Sequence, residues 1–243
     1  MLGLFYHPYG VVLQVLAIVH FVRRRPDTYW LWIILMFGGL GALAYIVVEV
    51  LPDIGLLRGA YQVFPRRKRI KALEAAILDN PSVGNYEELG DLYLDDKQYV
   101  RARECFDRVI AKQDGIDPRY RRALSALAVN DYTAAAGDLA EVVARDPKYD
   151  YQRAVGLYAH ALAQMGERQK ALALFAEVTQ TSTLSETQYH YARLLADEGR
   201  VADAREWAER ILRKKPTMPE YIRRRERPWF RSARALLKRL PRA

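Results

Sequence analysis

Histidine and cysteine are the side chains of this chain that could ligate a transition metal or serve a nucleophilic site. The sequence contains four histidines and one cysteine. Neither His160 nor His190 has a second ligand at the short spacing that a helical metal site needs. The single Cys105 excludes an intramolecular disulfide and a multi-cysteine metal centre. The sequence also lacks a serine elbow and a phosphate-binding glycine loop, so we predict no catalytic residue, no metal, no cofactor and no enzymatic activity.

Four short stretches resemble one another and point instead to a repeated structural element. Each runs from a turn residue to an alanine: 97–102, 130–135, 166–171 and 199–204. The closing alanines therefore recur at a nearly constant interval. A period of about 34 residues, with a turn before a small residue, is typical of stacked helical hairpins. Such hairpins build surfaces that hold other molecules and seldom carry chemistry of their own.

The pattern resembles the tetratricopeptide repeat (TPR), a helix-turn-helix element that stacks into a superhelix, over about residues 81–216. The first repeat carries the characteristic positions most clearly: Tyr86, Leu89, Gly90, Tyr93, Ala102, Phe106 and the closing Pro118. Pro147 and Pro216 close later repeats. The second repeat departs from the pattern, because Arg119 stands where an aromatic residue is expected and the interval from Pro118 to Pro147 is short. We expect this repeat to pack irregularly.

Helices are also predicted at both ends of the repeats. Residues 68–80 read as one amphipathic helix that ends before Pro81, and residues 221–240 as a terminal cap that Pro228 divides in two. The predicted fold is all-α, with two N-terminal transmembrane helices followed by a TPR solenoid of about four hairpins and a C-terminal capping helix. The corresponding regions are a membrane hairpin (1–52), a basic linker (53–71), the solenoid (72–216) and a basic cap (217–243).

The TPR resemblance implies that the first helix of each hairpin lines an inner groove that binds an unidentified protein or peptide. Alignment of the repeats places these residues there: Glu87, Asp91, Tyr120, Leu124, Arg153, His160, Tyr189 and Arg193. Tyrosine and arginine are frequent binding anchors. The lysines and asparagines of the carboxylate-clamp subclass are not at its positions, which disfavours binding of chaperone tails. The competing interpretation is that these side chains are simply solvated helix faces.

Two apolar runs near the N-terminus predict a membrane hairpin. The first covers residues 9–22, and the second, 29–51, carries Glu49 as its one charge and is long enough to cross a bilayer. Trp30 and Trp32 are expected as interfacial anchors, and Gly38, Gly39 and Gly41 as a close-packing face. A cleaved signal peptide is disfavoured, because no basic region precedes the first run and arginines follow it.

This region resembles the phospholipase D-nuclease N-terminal domain, a membrane hairpin. The matching residues are Arg24-Arg25-Pro26, the tryptophans that begin the second run, and Gly41-Ala42-x-Ala44-Tyr45 before Glu49. The resemblance implies an anchor and not phospholipase activity, since the histidine-x-lysine motif of that enzyme family is absent.

The distribution of positive charge predicts the side of the membrane. The basic residues between Arg58 and Lys71 outnumber the arginines at 23–25, so a hairpin would keep the repeats in the cytoplasm. If only the second run spans, the repeats face outward. We predict a multi-pass protein of the bacterial inner membrane.

The net charge of +9 is concentrated in the two segments that flank an acidic repeat region. Basic residues beside a membrane segment favour topology and anionic lipid over nucleic acid, which the acidic middle also disfavours. The residues predicted to form a lipid-binding surface are Arg66, Arg67, Lys68, Arg223, Arg224, Arg225 and Arg227. The leading hypothesis is thus a membrane-anchored TPR scaffold that binds another protein. The alternative is a module that binds anionic lipid through its basic C-terminal helix.

Overall fold

The structure is a computed structural model that describes residues 8–24, 28–50 and 56–241. These residues form helices joined by short turns, and no strand occurs among them. The chain divides into two compact units, Met1–Ala72 and Leu73–Ala243. Residues 1–7, which the first apolar run could include in part, and residues 25–27 of the predicted polar turn lie outside the described residues.

The second apolar segment of the first unit reverses direction in its middle. Helix α1 is Pro8–Arg24, and α2 runs Tyr29–Tyr45 and continues as a π-helical turn over Ile46–Val50. By length and composition, the 21 residues Tyr29–Glu49 suffice to cross a membrane. Gly38, however, has φ 54° and ψ −129°, which is not helical.

A hydrogen bond shows how far this reversal goes. The indole N–H of Trp30 donates to the Glu49 carboxylate over 3.0 Å, whereas a straight helix would separate the two residues by about 28 Å. The segment therefore folds back at Gly38, and the straight second span that the sequence predicts is not formed. Trp30 is also 7% exposed, so it packs inside this unit and is not an outward-facing anchor.

Polar side chains of the first unit face its interior, and apolar side chains face outward. The Gln14 amide donates to the Ile34 carbonyl over 3.1 Å, and the His20 ring is 2.9 Å from the Tyr45 hydroxyl. Ala17, Ile34 and Tyr45 are fully buried. More than a dozen large apolar side chains are exposed, among them Val12, Leu16, Val22, Trp32, Leu35, Met36, Phe37 and Leu40.

Helix α3, Leu56–Asp79, begins in the first unit and ends in the second. The sequence predicts a helix only from residue 68 to residue 80, but the helix already starts at Leu56, so most of the predicted linker is helical. Pro65 lies inside α3. Leu73, on the predicted apolar face, is 3% exposed, while Leu78 is 84% exposed.

Four helical hairpins follow, as the repeat pattern predicts. They are α4 (Val83–Asp95) with α5 (Tyr99–Lys112), α6 (Ile116–Ala128) with α7 (Tyr132–Arg145), α8 (Arg153–Gln164) with α9 (Arg168–Thr181), and α10 (Ser185–Asp197) with α11 (Val201–Lys214). Each hairpin turns through one residue with positive φ: Lys97, Asn130, Gly166 and Gly199. These are the residues that open the four similar stretches of the sequence. Glycine and asparagine tolerate this conformation well, which explains their place in three of the four turns.

The small residues of the repeats allow helices to approach closely. Ala102, Ala135, Ala171 and Ala204 are all fully buried. At Gly156 of α8 the approach is close, since an added Cβ would lie 2.4 Å from the Thr187 Oγ1 of α10. Large side chains fill the remaining space; Phe106 and Phe175 are fully buried, and such a burial stabilises a fold by about 2–3 kcal/mol.

The second hairpin connects irregularly to the third, in line with the short interval in the sequence. Residues 147–152 form turns, and three consecutive residues, Asp150, Tyr151 and Gln152, have φ of 48°, 54° and 66°. Positive φ is uncommon for non-glycine residues, and such strain is often stored where a side chain must be held in an unusual place. Tyr151 is 87% exposed.

The C-terminal segment caps the last hairpin. A 3₁₀ turn at Lys215–Thr217 leads into α12 (Glu220–Arg225) and α13 (Arg227–Arg239). Pro228 lies in the first turn of α13 and divides the segment as the sequence predicts. Phe230 and Ala233 are buried in a cluster with Ala208 and Ile211 of α11. The cap thereby covers the apolar face that the last hairpin would otherwise leave exposed.

Candidate protein-binding groove

The first helices of the hairpins, α4, α6, α8 and α10, form one continuous face of the solenoid, called the groove below. At its start, Asp91 and Arg121 form an ion pair between α4 and α6. Glu87 is half-buried on the same helix as Asp91. Leu124 is half-buried against the core of the second hairpin and does not stand free in the groove. In the N-terminal part of the groove, the predicted residue Asp91 therefore joins the first hairpin to the second.

Tyr120, predicted as a groove anchor, belongs to the core. It is 6% exposed, and its hydroxyl donates to Asp150 over 2.6 Å. Burial, with the hydrogen bond to this carboxylate, raises the pKa of Tyr120 despite the opposing charge of Arg153. The sequence pattern expects an aromatic residue at the position of Arg119. In the structure the buried aromatic of the second repeat is the next residue, Tyr120. Arg119 instead pairs with Asp114 over 2.5 Å.

Arg153 lies at the N-terminus of α8 and joins two hairpins. Its Nε donates to Glu186 of α10 over 2.6 Å, and its Nη1 lies 3.6 Å from Asp150. Its side chain is 35% exposed, so one face remains open to a ligand.

Two histidines stack in the C-terminal half of the groove. The rings of His160 on α8 and His190 on α10 lie 3.8 Å apart at 27° to one another. The Trp229 ring of α13 contacts His190 edge-on at 5.3 Å, and Tyr189 at 5.7 Å. Arg193 is exposed beside them. The structure thus brings together His160, Tyr189 and Arg193, which the sequence predicts for the groove, around His190, which it does not.

The histidine pair is uncharged at neutral pH. Burial, and then the charge of Arg193, lowers the pKa of His160 to about 4. Burial also holds the pKa of His190 well below its usual range, with His160 and Arg193 adding to the effect. His190 Nδ1 is buried without a hydrogen-bond partner. Among the described residues, no three potential metal ligands come together, so the pair is not completed into a metal site.

A cavity of about 420 Å³ lies at the C-terminal end of the groove and is called the groove pocket below. Its lining combines acidic, basic and aromatic side chains: Asp150, Tyr151, Arg153, Leu184, Glu186, Arg225, Glu226 and Trp229. Tyr151, presented by the left-handed turn, is the most exposed of the large apolar residues here. Sequence reasoning missed Tyr151 and Trp229, because Tyr151 lies in an irregular turn and Trp229 in the cap.

The residues predicted to form a basic surface lie on different helices of the two compact units. Arg66, Arg67 and Lys68 lie on α3, with Arg67 and Lys68 exposed. Arg225 lines the groove pocket, with its Nε 3.7 Å from Glu226. Arg223, Arg224 and Arg227 line a different cavity on the cap.

A spacing in the sequence could have revealed the histidine pair. Asp91 follows Gly90 and pairs with Arg121, which lies two positions before Ala123 in the next repeat. His160 follows Ala159 and stacks on His190, two positions before Ala192. The Asp91–Arg121 and His160–His190 contacts therefore join equivalent positions of successive repeats. A contact between the first pair predicts a contact between the second.

Comparison with known proteins supports this architecture. A tetratricopeptide-repeat family model matches residues 120–185 and 159–219. The matched residues lie in the second compact unit, whose helical hairpins are similar to tetratricopeptide repeats. A search of curated proteins found no match. None of these comparisons supports the resemblance of residues 1–52 to the phospholipase D-nuclease N-terminal domain.

Solved structures share the fold of this chain at low sequence identity. MamA from Desulfovibrio magneticus RS-1 is 18% identical, with a TM-score of 0.58 over 68% of this chain and 96% of that one. YrrB, described as a TPR protein with an unusual peptide-binding site, is 19% identical, with a TM-score of 0.55 over 69% of this chain and 87% of that one. At these identities the likeness shows the fold alone.

Proposed function

We propose that this protein is a membrane-anchored, non-enzymatic scaffold that holds a protein or peptide in the groove of its TPR solenoid. The observation that carries the proposal is the groove pocket, where an 87% exposed tyrosine stands on a left-handed turn beside Trp229. A side chain as exposed as Tyr151 adds little to the packing of the solenoid. Three positive-φ residues in succession are also unfavourable unless the surrounding structure holds them. Tyrosine, tryptophan and arginine are the residue types on which binding energy concentrates.

The lining of the pocket indicates the chemistry of the partner. Asp150, Glu186 and Glu226 supply three acidic groups and Arg153 and Arg225 two basic groups, within one cavity that also carries two aromatic rings. Charge alternates over short distances, so a long segment of one charge sign would meet repulsion. An extended peptide of mixed charge, with an apolar or aromatic side chain for the pocket, fits best. YrrB offers a precedent for peptide binding on this fold.

The first unit supports membrane anchoring by its inside-out distribution of polarity. Its polar side chains, Gln14, His20 and Glu49, are hydrogen-bonded within the unit. Its exposed surface carries large apolar residues that water would not favour. A bilayer is the solvent in which such a surface is stable, since buried polar groups there must find partners within the protein.

The reversal at Gly38 also favours one membrane side for the solenoid. Trp30 and Glu49 are in contact, so both ends of α2 lie at one end of the first unit, close to where α1 finishes at Arg24. Arg23, Arg24 and the basic residues of α3 then flank the same side of a membrane. Positive charge is retained in the cytoplasm, so we propose a cytoplasmic solenoid at the bacterial inner membrane.

The groove is tested by crosslinked co-purification from native membranes, with Tyr151→Ala as the variant. Because Tyr151 is 87% exposed, its truncation should leave helicity unchanged. We expect a partner captured by the wild-type chain to be reduced at least about tenfold by this change, the effect of a modest binding anchor. Trp229→Ala should weaken the binding of the same partner.

Tyr221→Ala is the matched control. Tyr221 is 74% exposed on the cap but does not line the groove pocket. Equal recovery with Tyr151→Ala and Tyr221→Ala would reject the groove as the binding site.

A further inference from the structure

A second cavity lies between the two helices of the cap, on residues that the groove does not use. It has a volume of about 350 Å³ and is called the arginine pocket below. It is lined by Lys215, Glu220, Arg223, Arg224, Arg227, Phe230, Arg231 and Arg234. Six of these eight residues are basic and one is acidic, so the lining carries a net charge of +5.

Most of these guanidinium groups have no carboxylate partner among the described residues. Arg224 pairs with Glu220 over 2.7 Å. Within the described part of the chain, no carboxylate oxygen lies within 4.0 Å of Arg223, Arg227, Arg231 or Arg234. Like charges held together without counterions repel one another, and this repulsion opposes the folded state. A bound anion would relieve it.

The spacing of the arginines suits a phosphate group. Arg227, Arg231 and Arg234 stand at i, i+4 and i+7 on α13, so they share one face of that helix. Arg223 approaches from α12. Planar guanidinium forks bind phosphate oxygens in pairs, which makes arginine the preferred residue for this ligand.

The pocket favours a lipid phosphate over a nucleic acid. Single-stranded nucleic acids are held by exposed aromatic rings on which bases stack. The one aromatic residue of the lining, Phe230, is 3% exposed and faces the core of the cap. The chain also carries an apolar unit for which we propose membrane anchoring, and that unit would keep the cap close to a lipid surface.

We propose that the arginine pocket binds the phosphate of an anionic phospholipid headgroup. The choice of lipid as the source rests on the proposed membrane anchoring, but the binding itself does not depend on the groove. Each guanidinium contact adds about 1 kcal/mol near an anionic lipid.

The test measures the affinity of the full chain, purified in a neutral maltoside detergent, for dioctanoyl phosphatidylglycerol. The pocket variant is Arg227→Gln with Arg231→Gln. The matched control is Lys238→Gln with Arg239→Gln, which removes the same charge from the same helix at exposed residues outside the pocket. Glutamine forms helices about as well as arginine, so α13 should persist in both variants. Circular dichroism verifies this.

We expect the pocket variant to bind phosphatidylglycerol about thirtyfold more weakly than wild type does. The control variant should lose less than about threefold in affinity. Dioctanoyl phosphatidylcholine, which carries no net charge, should bind no better to wild type than to the pocket variant. Tyr151→Ala should keep the wild-type affinity for phosphatidylglycerol, so a failed groove proposal and a failed pocket proposal give different results.

Three outcomes would overturn the proposal. Equal losses in the pocket variant and the control would mean that general charge attraction suffices. Inorganic phosphate that binds as tightly as the lipid, with the same loss in the pocket variant, would make a free phosphate the ligand. A single-stranded RNA decamer that binds more tightly than the lipid would assign the pocket to nucleic acid.

Discussion

The solenoid and the cap use arginine in opposite ways. Between residues 83 and 214, ten arginines form ion pairs: Arg101, Arg103, Arg119, Arg121, Arg122, Arg145, Arg153, Arg168, Arg193 and Arg200. Most of these pairs join residues far apart in the sequence, so they connect helices or whole hairpins. In the arginine pocket, by contrast, four of five guanidiniums have no carboxylate partner among the described residues.

This difference separates arginines that stabilise the fold through ion pairs from arginines whose charge is available to a ligand. An arginine that already holds a carboxylate has part of its charge compensated before a ligand arrives, whereas an arginine without one can gain a full ion pair. Residue type alone does not distinguish the two cases. The pairing pattern does.

The largest effect is expected at Asp138, the least exposed carboxylate among the ion pairs of the described residues. Both carboxylate oxygens of Asp138 accept from Arg122, over 2.6 and 2.7 Å, and the Asp138 side chain is 6% exposed. Asp138→Ala leaves Arg122 without its buried partner, so we expect the free energy of unfolding to fall by about 3 kcal/mol. Chemical denaturation of the full chain in neutral detergent, followed by circular dichroism, measures this.

Asp107→Ala is the control, since Asp107 also accepts from Arg122 but its side chain is 49% exposed. It should cost less than about 1 kcal/mol. Equal costs would remove burial as the reason for the difference.

Acidification should weaken the solenoid through its histidine pair. The unfolded chain binds a proton at a histidine pKa of about 6.5, while His160 in the folded protein does so at about 4. The unfolded state therefore binds more protons between these values, so stability falls as the pH falls from 6.5 to 4. From pH 7 to pH 5 we expect a loss of about 2 kcal/mol from His160.

His160→Phe keeps a ring in the stack but cannot titrate, so denaturation at the two pH values should show a smaller difference than in wild type. An unchanged difference would place the pH dependence elsewhere, for example at His190, whose pKa burial also holds well below its usual range.

The smallest effect is expected in the cap. Arg227→Gln with Arg231→Gln removes repulsion and breaks no ion pair within the described part of the chain, so stability should stay the same or rise by up to about 0.5 kcal/mol at low salt. The gain should vanish at about 1 M salt, where the screening length is about 3 Å. Arg121→Gln, which breaks the pair with Asp91, should instead destabilise the protein. A comparable loss in both variants, measured by thermal denaturation, would end the contrast between the two regions.

The sequence predicts the repeated parts of the fold well, because repetition supplies its own internal check. Closing alanines at a near-constant interval predict the four hairpins, and Pro228 predicts the division of the cap. The sequence places Tyr120 in the groove, whereas it is buried because the irregular turn after the second hairpin packs on it: the Tyr149 ring lies 5.0 Å away, and Asp150 accepts from its hydroxyl.

Features that depend on distant contacts could not be predicted. Tyr151 lies in a turn without a repeat equivalent, and its three left-handed residues carry no glycine to signal them. The arginine pocket depends on how α12 and α13 meet at Glu226, which is 8% exposed. A run of arginines gives the charge of a surface, but the angle between two helices decides which of them share a cavity.

Under the membrane anchoring proposed above, Gly38 makes the compartment of the solenoid depend on a single backbone torsion. Its φ of 54° with ψ of −129° is a combination that side-chain-bearing residues scarcely adopt. A residue such as leucine at this position would favour continuation of the helix, and a straight segment over Tyr29–Glu49 is long enough to deliver its two ends to opposite faces of a bilayer. One substitution, remote in sequence from every repeat, would then exchange the proteins that the groove can meet.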